Sequence, residues 1–414
     1  MQFTDQRETT TLAGAMANTL GELVDSIAAL DRMAAAIAAH KAELVEQARQ
    51  WSVVAETSIP PASGWSPEVR ARRVLITELA CALRIPERAA ENLVGQSQML
   101  VNDLPLTLRA LGTGAITWRH ATVMVDHANS LDTEAAGAFE AAVVSYAASL
   151  TVAKFDRKAR LYRERMHPES IEARHATAIE TRSLDLQPAR DGMAWLTAYL
   201  PAVVAQGIYN RATDMALKQQ SAAETRTLTQ LRVDLFAELL LDGGLQSGAD
   251  AGIRPRVLIT VPALTLLGRS DEPAVLEGYG PIDIDTARAL AAAAPSFTRL
   301  LTHPETGAVL SVGRTSYAVP ADLRTWLRVR DGTCRFPGCS RAARNCDVDH
   351  TDDWQWGSAT NHDNLAHLCP AHHRVKHQTQ WGARQRGAGV IEWTSPTGHV
   401  YTTEPETALR ADAG

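Results

Sequence analysis

Between Cys334 and His377 the chain gathers four of its five cysteines (Cys334, Cys339, Cys346 and Cys369) and six of its thirteen histidines. No other stretch limits the fold as tightly, because thiolates and imidazoles at this density suit a shared metal ion better than a disulfide framework. Two pairs stand out: Cys334 with Cys339 across "RFPG", and Cys369 with His372 across "PA". Each pair fits a tight turn or a first helical turn, so two separated loops can deliver four ligands to one tetrahedral ion, the closed arrangement of a structural zinc. A block of about 60 residues has too little core to hold itself together, whereas such an ion supplies roughly 10–16 kcal/mol of apparent binding free energy. Cys346 is the competing ligand, and an all-cysteine set would release His372. We prefer His372, because it stands at helical spacing from Cys369, while Cys346 falls in an expected strand where a small buried residue is ordinary.

The remaining histidines divide by geometry. If the segment from Pro370 to about Gln378 is helical, His373 and His377 lie four apart on one face and His372 is turned away by about 100°. "DVDH" offers Asp349, a hard oxygen ligand, and His350, able to take a proton near neutral pH. Strand neighbours point to opposite faces, so both reach one site only where the strand ends or bulges, as the polar "TDDW" that follows suggests.

A cysteine pair with four residues between, then "DVDH", then Asn364 in "NL", then "LCPAHH" resembles the HNH endonucleases, whose ββα-metal fold grips one catalytic metal with a hairpin and a helix. The run from "RPRVLITV" through "GAVLSVGR", "RDGTCRFPGC" and "WTSPTG" is similar, more narrowly, to bacterial proteins that join an HNH nuclease to an N-terminal helical domain of unknown function 222. The resemblance implies that Asp349, His373 and His377 hold a catalytic Mg²⁺, Mn²⁺ or other divalent ion. It makes His350 the general base, Asn364 the residue that fixes the hairpin loop and His350, and the metal a Lewis acid at the phosphodiester. The implied product ends are 5′-phosphate and 3′-hydroxyl. His372 departs from the family's commonest pattern, which has cysteine there. A non-catalytic module, folded by zinc for nucleic-acid or protein binding, is the alternative, although it has no need of Asp349, His350, Asn364 and His373.

The net charge of −6 does not advertise nucleic-acid binding, but Arg324, Arg328, Arg330, Arg335, Arg341 and Arg344 face only Asp322 and Asp331 locally, and an acidic total can hide a basic site. Arg335, Arg341, Arg344, Arg374 and Lys376 are the candidate phosphate contacts, with DNA the expected partner and RNA left open. Trp354, Trp356, Trp381 and Trp393 cluster here and suit either base stacking or the core of a small domain, the commoner role. His362 and His367 match no motif position and read as surface or packing residues, and Asp352 and Asp353 as a solvated loop.

Upstream, residues 22–50 carry uninterrupted helical spacing and predict a long amphipathic helix suited to a homodimer. Four or five packed helices are expected from 68 to about 163. The pair "ELACALRIPERAAENL" (78–93) resembles a helix-turn-helix, for which core packing is the simpler role, with Cys81 a small buried residue. Hairpins are expected at 181–201, 299–314 and 390–403, and helices at 202–220, 227–241 and over "DIDTARALAAAA". The expected architecture is a mainly α N-terminal region with a small α+β part, followed by a zinc-stabilised ββα-metal domain. Its parts are a long helix (1–57), a mostly helical domain (58–320) with short strands near 181–200, 256–262 and 299–314, the HNH domain (321–381), and a terminal hairpin and tail (382–414). Neither a cationic-apolar leader nor an apolar run of roughly 18 residues occurs, which points to the cytoplasm and away from membranes.

Overall fold

The long Ala, Leu and Glu run folds as one helix, α1 (Asp5–Thr57), of 53 residues. The computed structural model describes residues 5–58, 64–166, 170–221, 223–242, 259–261, 265, 273–277, 279–292, 311–313, 319–352, 359–387 and 389–406. The helix continues on both sides of the 22–50 run and passes through Gly21, within the span of 1–57 expected for it, since one interior glycine costs only about 1 kcal/mol against the propensity of its neighbours. Ala35, Ala39, Ala42 and Val45 bury one face of α1, while Leu20, Leu23, Ile27, Leu30, Ile37 and Leu44 stay exposed.

Six helices follow where four or five were expected: α2 (Pro67–Leu83), α3 (Glu87–Asn102), α4 (Pro105–Gly112), α5 (Trp118–Ala128), α6 (Thr133–Ala147) and α7 (Val152–Met166). Short α4 is the easiest to overlook, because Pro105 both stops α3 and opens a new helix at the position where its missing N–H costs nothing. Ser66 and Asp132 cap α2 and α6 by accepting from the backbone N–H of Val69 and Ala135. Leu100, Leu104, Leu111, Met124, Phe139 and Phe155 are fully buried between α3 and α7. The helix-turn-helix candidate is α2 and α3 around Arg84, whose φ of 55° closes α2 in the left-handed region. Ile76, Ala80, Ala90 and Val94 pack with Val45 of α1, so the pair forms core.

The chain divides into two compact units, Met1–Ile171 with Leu300–Gly414, and Glu172–Arg299. At their junction runs α8 (Ser170–Glu180). The second unit then holds the expected hairpin, β1 (Ser183–Pro188) and β2 (Ala194–Tyr199), turned by Asp191 and Gly192 at φ of 58° and 74°. Next come α9 (Ala202–Gln219), α10 (Leu228–Asp242), an antiparallel sheet of β3 (Ile259–Thr260), β4 (Ala274–Leu276) and β5 (Gly280–Ile282), and α11 (Ile284–Ala292).

The chain returns to the first unit through β6 (Ser311–Gly313), which pairs with a later strand; residues 299–310 of the expected hairpin lie outside the described residues. Then follow α12 (Ala321–Asp331), β7 (Asp347–His350), β8 (Thr360–Asn361), β9 (Leu365–Leu368) and α13 (Pro370–Gln378). Strands β7 and β9 pair antiparallel, Asp349 opposite Ala366 and His350 opposite Leu365. The terminal hairpin, β11 (Ile391–Thr394) and β12 (Val400–Thr403), gains an unexpected third strand, β10 (Gly382–Gln385), whose "GARQ" has no apolar alternation to announce it. This end of the chain packs on α2: the Trp381 indole donates to Thr77, Ser395 donates to Glu78, and Cys81 is buried with Phe336, Trp381 and Trp393. No described helix is long and apolar enough to cross a membrane.

Candidate metal centres

After α12 the chain makes a tight knuckle. Thr333 bridges Ala342, the Cys334 N–H donates to the Arg341 carbonyl, and Gly338 takes a φ of 76° between the two cysteines. Across from it, Cys369 is the N-cap residue of α13, with Pro370 opening the helix and His372 in its first turn. The Cys334, Cys339 and Cys369 sulfurs and one His372 nitrogen all lie within 4.8 Å of one another. His372 Nδ1 is 3.4 Å from Cys334 Sγ and 3.2 Å from Cys369 Sγ.

A tetrahedral zinc with bonds of about 2.3 Å to sulfur and 2.0 Å to nitrogen separates its ligand atoms by roughly 3.5–3.8 Å, so the set fits such an ion closely. Cys334 and Cys369, with burial, push the Cys339 thiol well above its ordinary range. Burial pulls His372 down, but Cys339, Cys369 and Glu87 outweigh it and push the imidazole up to about 11. Three crowded sulfurs thus favour a cation at their centre. Phe336 stacks on His372 at 4.1 Å and 10°. Cys346 follows a 3₁₀ turn just ahead of β7 and donates to the Ala342 carbonyl, outside the four. Cys81 belongs to the core, its thiol pushed up to about 12 chiefly by burial.

The second cluster uses the other side of α13. Asp349 Oδ1 lies 3.2 Å from His373 Nε2 and 3.0 Å from His377 Nε2. Lys376 donates to Asp349 Oδ2 at 2.8 Å and also to the His350 carbonyl. Burial works to raise Asp349, but the hydrogen bonds from both histidines and the Lys376 ammonium prevail and hold its carboxyl far below the usual range. The carboxylate is buried while the imidazoles stay 40% and 35% exposed, so an ion here would keep an open side toward solvent. Two imidazoles and one carboxylate suit a borderline divalent ion.

His350 is the last residue of β7, so the strand does end at this point. Its Nε2 lies 3.0 Å from the Thr360 hydroxyl of β8. Asn364 ties the intervening loop at both ends: Oδ1 accepts from the Asp352 N–H, and Nδ2 donates to the Asp352 and Ala359 carbonyls.

The basic candidates separate. Arg341, Arg344 and Arg374 are exposed, but Arg335 corrects the expectation of a phosphate contact. It is 2% exposed, and its guanidinium donates to Asp331 and to the Gly389 and Thr403 carbonyls. Arg330 and His367 share the same Asp331 carboxylate, a buried network that locks α12 to β9. Lys376 points at Asp349, a role its position three after His373 on one helix face could have signalled. Trp381 and Trp393 are buried core residues. His362 rests on Trp326, and Asp353, Trp354 and Trp356 lie outside the described residues. One contact had no signal in the spacing: Glu87, 285 residues from His372, accepts from His372 Nε2 at 3.0 Å.

Among known proteins, the chain is 28% identical to the uncharacterized protein Rv3776 of Mycobacterium tuberculosis, over 89% of this chain and 78% of that one. It is equally similar to the uncharacterized protein Rv2100 of the same species, over 79% of this chain and 68% of that one. No solved structure matches it. The helices from within α1 to the end of α12, with the second unit between them, carry one family signature: residues 27–331 match the model of Domain of unknown function (DUF222), and the chain belongs to that family.

Proposed function

We propose that the protein is a metal-dependent endonuclease of the HNH type, hydrolysing phosphodiester bonds in DNA, with a structural zinc held by Cys334, Cys339, Cys369 and His372. The observation that carries the reading is the convergence of Asp349, His373 and His377, with His350 next to Asp349 in the chain at the end of β7. When bound there, a divalent ion neutralises charge on the phosphoryl oxygens and the leaving O3′. The donor set favours Mn²⁺ or Ni²⁺ over Mg²⁺, which prefers oxygen ligands. His350 takes the proton of the attacking water as its oxygen bonds to phosphorus, and the P–O3′ bond breaks to leave a 5′-phosphate and, after protonation by solvent, a 3′-hydroxyl. Thr360 steadies His350, Asn364 closes the loop between them, and exposed Arg341, Arg344 and Arg374 contact phosphates.

The test incubates plasmid with the protein and Mg²⁺, Mn²⁺ or Ni²⁺, beside a His350→Ala variant. Loss of a general base predicts a drop of at least about 100-fold in nicking. Equal nicking by both proteins removes His350 as the base, and no nicking by the wild type with any of the three ions removes the nuclease reading. The rival, a zinc-folded binding module, draws support from Lys376, whose ammonium already neutralises Asp349 without an ion.

A further inference from the structure

His372 is held by two unlike contacts. The Phe336 ring at 4.1 Å fixes the plane of its imidazole but leaves the ring free to turn within that plane. The in-plane direction is set by Glu87, the first residue of α3, whose Oε1 accepts from Nε2 at 3.0 Å and so leaves Nδ1 aimed at the cysteines. Glu87 is itself anchored, its Oε2 accepting from the Arg73 guanidinium of α2 at 2.7 Å. The Arg73 ion pair favours the carboxylate form of Glu87. Its place at a helix N-terminus favours the same charge. With the His372 side chain only 3% exposed, water cannot readily replace Glu87 as acceptor.

We infer that Glu87, from the helical part of the chain, is the outer carboxylate of the sulfur-rich centre: it fixes the His372 tautomer whose Nδ1 faces the metal and makes metal affinity depend on how α2 and α3 are packed. This rests on reading Cys334, Cys339, Cys369 and His372 as a metal site. Glu87 is a positioning residue that touches no metal. A carboxylate on the far nitrogen of a ligating imidazole orients the ring and raises its basicity, and losing one typically weakens binding 10- to 100-fold. The Arg73–Glu87–His372 chain thereby joins the family's helices to the C-terminal cluster without a covalent link nearby.

The experiment measures zinc affinity of the full chain by competition with a chromophoric chelator, and records the Co²⁺ absorption spectrum of each protein. Glu87→Ala and Glu87→Asp, which keeps the charge but falls short by one methylene, should each bind zinc about 10- to 100-fold more weakly. Glu87→Gln keeps an acceptor oxygen in place and should recover most of the loss, with a Co²⁺ spectrum like the wild type's. Glu87→Asp and Glu87→Gln stay informative if the alanine variant does not fold. Wild-type affinity in the aspartate variant, or equal weakening in aspartate and glutamine variants, overturns the role of Glu87 and leaves the metal site standing. A wild-type chain that takes up no zinc overturns the site itself.

Discussion

Helix α13 carries two clusters that share a backbone and little else. Toward the protein, His372 joins three sulfurs, with Cys334, Cys369 and His372 buried and Phe336, Trp381 and Trp393 packed around them. Toward solvent, His373 and His377 share one oxygen of Asp349, and the remaining oxygen is held by a lysine. Adjacent residues on a helix diverge by about 100°, which is all that separates His372 from His373. The inner cluster is soft, closed and embedded in core, the features of a site that contributes folding energy. The outer one sets a single hard oxygen among two borderline imidazoles, is half open, and is balanced by the Lys376 ammonium. Identical residue types thus divide by what surrounds them.

The largest effect should separate the two. Cys369→Ser removes one of the four proposed zinc ligands without removing a side-chain cap of α13, and should forfeit a sizeable part of the roughly 10–16 kcal/mol that a structural zinc supplies. The expected outcome is loss of bound zinc and exposure of Trp381 and Trp393, read by metal analysis and tryptophan emission. Asp349→Asn, in contrast, should keep the zinc and lower the melting temperature only moderately, through the loss of the Lys376 ion pair. If Cys369→Ser retains zinc and melts like the wild type, the four residues are ordinary packing, as Cys81 is, and the comparison fails.

What could be read from the chain beforehand was what is local. Cys334 with Cys339, Cys369 with His372, and His373 with His377 are each brought together by one turn or one helix, so spacing alone reports them. Asp349 was legible because β7 ends beside it. Long-range choices were not. Arginine is ordinarily a surface residue, and nothing in "CRFPGC" tells that Arg335 turns inward to a carboxylate at the end of α12 and to the Gly389 and Thr403 carbonyls. Glu87 lies in a segment whose pattern speaks only of helix packing, and its partner is chosen by how the C-terminal cluster docks on α2 and α3. The long helix was legible from its uninterrupted spacing, which Gly21 does not break.

The finest distinction turns on Lys376. Its side chain is 8% exposed, and its ammonium sits 2.8 Å from Asp349 Oδ2, close to where a divalent ion on Oδ1 would be. Like charges at such separations repel by several kcal/mol at the effective dielectric of a protein surface, and a flexible lysine recovers part of this by swinging away. Lys376→Met should therefore tighten Mn²⁺ binding about 10-fold, roughly 1.4 kcal/mol, measured by titration calorimetry on zinc-loaded protein. The gain should depend on pH in a defined direction. An imidazole must be neutral to bind an ion. The hydrogen bond to Asp349 raises His373 above its ordinary value against burial, and Lys376 is one of the groups that pull it back. Without the ammonium His373 holds its proton more firmly, so Mn²⁺ meets stronger proton competition as pH falls. The advantage of the methionine variant should be largest near pH 8 and shrink toward pH 6. Unchanged affinity across that range would mean that Lys376 does not face the ion, and absence of any Mn²⁺ binding by either protein would make the lysine the permanent partner of Asp349 and leave the outer cluster without a metal to exchange.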